Sequence, residues 1–480
     1  MNYKVIFNTI GRVAVAEAFL LLLPTAVSLI YGESCYLAFL LTAVFSFLIG
    51  FLLLLCFRPK NHVIYAKEGF AIVALVWLGM SAIGAVPFVL CGDIPSYVDA
   101  FFETVSGFTT TGASILRDVE SLNHGTLFWR SFSHWVGGMG VLVFVMAIIP
   151  NVSDRSIHIM RAEMPGPVVG KIVPRVKDTA KILYLIYIAL TAVEAVMLLC
   201  GGMPVFDSLV HSFGTAGTGG FGIKADSIAS YSPYLQWVIA VFMLLFGVNF
   251  NLYYLLLIKR FRSVFRSTEL WVYIGIAFVS SAIITLNVFP MYKNSSVAIR
   301  QSVFQVSSIL TTTGYATADF NKWSSLSKGI IFVLMFSGGC AGSTAGGLKI
   351  SRTIMMFKMI GREFKRMLHP RTVSTVRFEG KTVEEQTLQG VTVYFAVYML
   401  CILATFLLIC YEPFGMETNF TATVSCFNNV GPGLAGVGPA SSYADYSVLS
   451  KLVLSFAMLL GRLEIFPLLI ALSPSTWTKK

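Results

Sequence analysis

Four stretches of this chain close an apolar run with a polar turn and a glycine. They are FFETVSGFTTTGASIL at 101–116, VHSFGTAGTGGFG at 210–222, FQVSSILTTTGYAT at 304–317 and FTATVSCFNNVGPGL at 420–434. Threonine hydroxyls and main-chain carbonyls are hard oxygen donors. Arranged around one axis, they can replace the water shell of a cation. Glycine is needed where the backbone must aim its carbonyls inward at dihedrals closed to other residues. The residues suited to that task are Thr110, Thr111 and Gly112; Thr218, Gly219 and Gly220; Thr312, Thr313 and Gly314; and Asn429, Val430 and Gly431. The last two of each set are the expected cation ligands. One such turn alone reads equally well as a glycine-bearing interhelical loop with threonine caps. Four at the same place in four like units do not.

Two further features bear on an ion path. Residues 336–349 read FSGGCAGSTAGGLK, with Gly338, Gly339, Gly342, Gly346 and Gly347 inside an otherwise continuous apolar span. Each glycine in a helix interior costs about 1 kcal/mol relative to alanine, so a broken helix is expected. Small residues also permit close helix packing, but packing motifs repeat every fourth residue, whereas these glycines pair around Ser343 and Thr344. A polar loop beneath the turns fits better, with Lys349 at its cytoplasmic edge. Arg462 lies well inside the last span, where a charge is a functional hypothesis by default. Its two readings are a cation near the pore that holds the loop at 338–347, and a buried arginine bonded to carbonyls of another span. Glu464 is two residues on, so the two side chains diverge and are not expected to pair. Glu103 and Asp207 precede turns and either concentrate cations at the mouth or sit on a solvated face.

The elements that position these residues follow from composition. The chain has 480 residues, of which 56% are hydrophobic and 12% charged, against about a quarter charged in a soluble domain. Apolar stretches of about 20 residues, enough to cross about 30 Å of hydrocarbon, recur near 13–31, 36–56, 69–91, 127–149, 183–201, 233–257, 270–289, 328–357, 388–410 and 450–472. The chain therefore reads as an all-α polytopic membrane protein. The first stretch is not read as a cleaved signal peptide, because a second span follows at once and Pro24 belongs to no Ala-x-Ala site. Lys and Arg gather at 58–67, 155–177, 259–266 and 358–381, while the opposite faces carry acids such as Asp93, Asp118 and Glu417. The positive-inside rule then puts both termini in the cytoplasm. Topology accounts for most of the net charge of +11, so no nucleic-acid partner is expected, while anionic membrane lipid is. Eight cysteines without a C-x-x-C pair and six scattered histidines suggest neither a zinc site nor a disulfide framework.

Beyond two N-terminal spans (1–66), the chain divides into four units: 67–152, 153–262, 263–372 and 373–480. Each reads span, outer acidic stretch, short amphipathic run, turn, span. The short runs, starting near Ser96, Pro204, Ser296 and Met416, suit re-entrant half-helices rather than crossings. A half-helix descending from outside aims the negative end of its dipole at the centre, and four such ends favour a cation there.

These turns, together with GGCAGSTAGGLK at 338–349, GRLEIFPLL at 461–469 and MPGP at 164–167, resemble the Trk/Ktr/HKT superfamily of potassium transporters over nearly the whole chain. The two extra spans and MPGP resemble the TrkH type rather than the shorter KtrB type. The resemblance implies a potassium-channel-like arrangement of four pseudo-symmetric repeats, with K+ as the transported ion. Each turn would be an equivalent of the potassium-channel signature reduced to one glycine. Plant relatives with serine at the first such glycine prefer sodium, and all four are glycine here. The resemblance further implies an intramembrane gate at 338–347, a homodimer, a bacterial inner-membrane location and a cytosolic ring of TrkA-type nucleotide-binding regulators. G-x-G-x-x-G occurs at 217–222 and 431–436, but neither copy follows a strand in a βαβ unit, so no organic cofactor is expected on this chain. Two rivals remain. A proton- or sodium-coupled potassium symporter would want a matched acid at the midplane, and only Glu17, Glu194 and Glu464 lie within spans. An intramembrane serine protease would need contact between Ser343 and His134 and leaves the fourfold pattern unexplained.

Overall fold

The computed structural model describes residues 1–60, 64–140 and 176–477; MPGP and the basic residues from Arg155 to Arg175 lie outside them. The regular elements of the described chain are helices apart from one hairpin on the basic side, the two-residue strands Arg377–Phe378 and Lys381–Thr382. Two antiparallel helices come first, Tyr3–Ile30 and Tyr36–Cys56. They approach closely at a glycine pair: a Cβ on Gly11 would lie 2.9 Å from the Gly50 carbonyl, and one on Gly50 2.7 Å from that of Gly11. Cys35 and Cys91 form a disulfide between this pair and the first unit, contrary to the expectation of no disulfide. Two cysteines 56 residues apart leave no local signature.

Each unit begins with a long outer helix: Ala66–Cys91, Val176–Cys200, Thr268–Tyr292 and Glu385–Ile409. A short helix follows: Tyr97–Phe108, Val205–Gly217, Ser295–Leu310 or Met416–Phe427. Their starts agree with the expected ones to within two residues. Ser96 and Asn294 cap the first and third, accepting from Asp99 N and Ser296 N, as short polar side chains do at helix starts. The turn and an inner helix follow in each unit: His124–Gly138, Pro233–Phe246, Ser325–Ser337 and Val448–Arg462.

Ten spans were expected, with a break in the one at 328–357. Among the described residues six helices are long and apolar enough to cross a membrane, with a seventh crossing bent by 90° between Phe246 and Phe250. The inner helices account for the difference, because they stop at glycines. The first ends on Gly138, the second and third have Gly247 and Gly338 as C-caps, and the fourth ends at Gly461–Arg462. The break expected in unit three alone is thus present in units two and four as well. Glycine tolerates the terminal dihedrals and the close packing such an end needs: a Cβ on Gly461 would lie 1.8 Å from the Phe427 carbonyl.

Candidate functional site

The four short helices end alike. Thr110, Thr218, Thr312 and Asn429 adopt left-handed φ values of 55°, 54°, 57° and 56°. Their amides bond the carbonyls three residues back, and the next amides bond five residues back: Thr111 to Ser106, Gly219 to Gly214, Thr313 to Ser308 and Val430 to Ser425. This is the Schellman pattern, in which a left-handed residue stops the helix. Glycine normally holds that place; a β-branched threonine there is strained, and the chain accepts this at three of four copies.

Two residues later the backbone turns left-handed again, at Gly112, Gly220, Gly314 and Gly431, with φ of 76°, 76°, 87° and 96°. These glycines close a ring. A Cβ on Gly112 would lie 2.0 Å from the Gly219 carbonyl oxygen, one on Gly220 2.0 Å from that of Thr313, one on Gly314 2.3 Å from that of Val430, and one on Gly431 2.6 Å from that of Thr111. Each glycine abuts the carbonyl preceding the next glycine, and the order runs through all four units back to the first. All twelve sequence-predicted turn residues are therefore brought together. The four glycines also line a cavity of about 470 Å³, with Ser114, Lys224 and Tyr443 among its other walls. A ring of carbonyls at the floor of a polar-lined cavity can strip and replace the water shell of a cation.

Beneath the ring lies the loop between Ser337 and Ile350. Gly346 N donates to Thr312 Oγ1 at 2.6 Å, tying the loop to the third turn. Its flank meets the fourth, since a Cβ on Gly346 would lie 2.5 Å from the Asn428 carbonyl. On the other side it caps the broken inner helix of unit two: Cys340 N donates to Gly247 O at 2.9 Å, Thr344 Oγ1 to Phe246 O at 3.3 Å, and Gly342 O accepts from Phe250 N at 3.0 Å. Gly338, Gly342 and Gly347 have φ of 68°, 73° and 75°, so the loop's course requires glycine at these three. Gly339 instead faces the Gly247 carbonyl, 3.0 Å from where its Cβ would be.

Arg462 reaches this loop from unit four. Nη1 donates to Thr344 O at 2.8 Å, and Nη2 donates to Gly137 O and Gly138 O at 2.6 Å each. One guanidinium thus holds the loop and neutralises the negative end of unit one's inner helix. Both sequence readings of Arg462 describe the same contact.

Three side chains sit elsewhere than expected. Lys349 is buried rather than at a cytoplasmic edge, and its ammonium folds back to the Ala345 carbonyl, an acceptor that the helix break frees. Glu103 is buried behind the cavity wall, where it pairs with Arg130 at 2.8 Å and accepts from Ser114 Oγ and Ile115 N. A partner on a different helix gives no sequence signal. Asp207, half-buried, accepts from Tyr231 at 2.8 Å. Glu464 pairs with Arg352, whose guanidinium also stacks 3.9 Å over Tyr394; Glu17 is fully buried in the first N-terminal helix and Glu194 in the outer helix of unit two. Ser343 donates to Cys340 O, while His134 bonds Gly107 O and Phe221 N. The pairing a serine protease requires is thus not made among the described residues.

The family model "TrkH: Cation transport protein" matches residues 37–479. Proteins named "Trk system potassium uptake protein TrkH" from Salmonella typhimurium and Escherichia coli are each 36% identical over 99% of this chain and 100% of their own length. The crystal structure of "the Potassium Transporter TrkH from Vibrio parahaemolyticus" is 31% identical, covers 100% of both chains and has a TM-score of 0.89.

Proposed function

We propose that potassium ions enter the cell through the ring of four turns, on the premise that the chain belongs to the TrkH family of cation transport proteins. The protein is a multi-pass membrane transporter of potassium rather than an enzyme. The observation that carries the route is the cyclic contact of Gly112, Gly220, Gly314 and Gly431 with the carbonyls of Gly219, Thr313, Val430 and Thr111. Thr111, Gly112, Gly219, Gly220, Thr313, Gly314, Val430 and Gly431 are the proposed K+ ligands. The residue before each of these pairs shapes the turn.

The loop containing Gly338, Gly339, Gly342, Ser343, Thr344, Gly346 and Gly347 is the proposed gate, with Lys349 and Arg462 holding it closed. Hydrogen bonds to the third turn, to the broken helix of unit two and to Arg462 of unit four support this reading, because each can be exchanged without unfolding a helix. The proposed location is a bacterial inner membrane with both termini cytoplasmic. The Cys35–Cys91 bridge supports that orientation, since disulfides persist on the oxidising side. The relatives' names denote a system of several components. Its other parts are inferred to be a second copy of this chain and a cytosolic TrkA-type nucleotide-binding ring, which docks on the exposed Lys358, Lys365, Arg366 and Arg371. The same charges would also attract anionic lipid. The four domains 67–152, 153–262, 263–372 and 373–480, preceded by 1–66, are proposed as the units of this architecture.

The deciding experiment is cation-resolved flux into liposomes holding the purified chain. Potassium flux exceeding sodium flux, with a reversal potential at the potassium Nernst value, is expected. A reversal potential displaced in proportion to a proton or sodium gradient would establish coupled symport instead.

A further inference from the structure

The second turn departs from its neighbours. In the first, the Thr109 and Thr111 hydroxyls bond at 2.7 Å; in the third, those of Thr311 and Thr313 bond at 2.8 Å. The corresponding residues of the second are Gly217 and Gly219, which have no side chains to pair. Their space is filled from unit one. The fully buried His134 puts its ring 2.2 Å from where a Gly219 Cβ would lie, and its own Cβ 3.0 Å from where that of Gly217 would lie. The imidazole is bonded at both ends: Nδ1 is 2.7 Å from Gly107 O in the last turn of the first short helix, and Phe221 N is 3.3 Å from Nε2. A backbone N–H only donates, so Nε2 accepts and Nδ1 carries the proton given to Gly107 O. Arg130, one turn earlier, lies 4.1 Å over the Phe221 ring and donates to Gly222 O at 3.3 Å. One helix therefore grips the strand beyond Gly220 at two levels.

We propose that His134 is a positioning residue for cation selectivity: its imidazole does for the second turn what paired threonine hydroxyls do for the first and third. The proposal rests on the four turns being the potassium filter. Without the ring, Gly217, Gly219 and Gly220 form a turn of three glycines with open space beside it and a Phe221 amide left without its acceptor. The Gly219 carbonyl, packed against Gly112, is then free to leave its place in the ring.

The test measures potassium-to-sodium flux ratios in liposomes for His134→Ala, His134→Asn and His134→Gln, with Gly314→Ala as a remote filter control. Asparagine reaches only the Gly107 carbonyl, whereas glutamine extends an acceptor to the Phe221 amide. The ratio should fall about tenfold in His134→Ala and His134→Asn, the scale of one lost buried hydrogen bond, and stay within about twofold of wild type in His134→Gln. If His134→Ala does not fold, the comparison of asparagine with glutamine decides. Unchanged ratios in asparagine and alanine variants, beside an altered ratio in Gly314→Ala, overturn the role of His134 and leave the filter standing. An unchanged ratio in Gly314→Ala overturns the filter reading itself.

Discussion

Adding one methyl group to each filter glycine in turn should damage selectivity in an order set by the ring's geometry. A new Cβ would lie 2.0 Å from the facing carbonyl at Gly112 and Gly220, 2.3 Å at Gly314 and 2.6 Å at Gly431, against 3.4 Å for ordinary contact. The carbonyl must therefore retreat by about 1.4 Å at the first two, about 1.1 Å at the third and about 0.8 Å at the fourth, in a core that packs like a crystal. Left-handed backbone adds about 1–2 kcal/mol of strain for any residue with a Cβ, and overpacking adds about 1–3 kcal/mol more. A total of about 2–5 kcal/mol exceeds the 1.4 kcal/mol that separates two ions tenfold. Gly112→Ala and Gly220→Ala should each cut the potassium-to-sodium flux ratio by more than about tenfold, Gly314→Ala by less and Gly431→Ala least. Gly112→Ser should behave like Gly112→Ala, because the shared Cβ makes the clash. The assay is cation-resolved uptake into liposomes, repeated in cells lacking other potassium uptake. A wild-type ratio in folded Gly112→Ala, or Gly431→Ala as the most damaged variant, would refute the ring.

Arg462→Ala removes three carbonyl bonds, and this change or a deletion within 338–347 should each raise flux in liposomes holding the chain alone while leaving the ion ratio near wild type; unchanged liposome flux would place the gate at another constriction. Thr312→Val keeps the shape of the third turn but frees the Gly346 amide, so basal flux should rise by several-fold, consistent with the loss of about 1 kcal/mol of closed-state bonding; a decrease in single-channel or liposome flux counts against it. Cys91→Ser should lower thermal stability in detergent by about 2–4 kcal/mol, with transport selectivity retained, because the bridge joins the N-terminal helices to unit one outside the ring. Neutralising Lys365 and Arg366 should weaken copurification of the cytosolic partner at physiological salt with membrane insertion intact, and full retention of the partner would falsify that docking surface.

The ring could be read from sequence because its demands fall on residue type. A helix end that turns left-handed twice within three residues selects glycine at the second position, and the same demand repeated four times stands out against any single turn. The loop at 338–347 was legible for a similar reason, since paired glycines have no use in a helix. The breaks in units two and four were not, because Gly247 and Gly461 stand alone and one glycine is tolerated in a span. Long-range pairings left no trace either. Arg130 meets Glu103 from another helix, and Arg352 meets Glu464 in the turn after the last inner helix, and nothing in local spacing marks a buried charge whose partner comes from another element. His134 was visible only as a histidine in a span. The vacancy it fills at Gly217 and Gly219 exists only once units one and two are packed together.

The ring's construction from a single polypeptide has a consequence for how such a filter evolves. In a pore assembled from four identical subunits, one codon change is imposed at every corner at once, so most variants leap rather than step. Here a mutation alters one corner and leaves three as they were. The corners have diverged accordingly: the residue before the glycine is threonine, glycine, threonine and valine in turn. A lineage can then explore ion preference in increments, with the unaltered corners preserving enough transport for the cell to survive the trial.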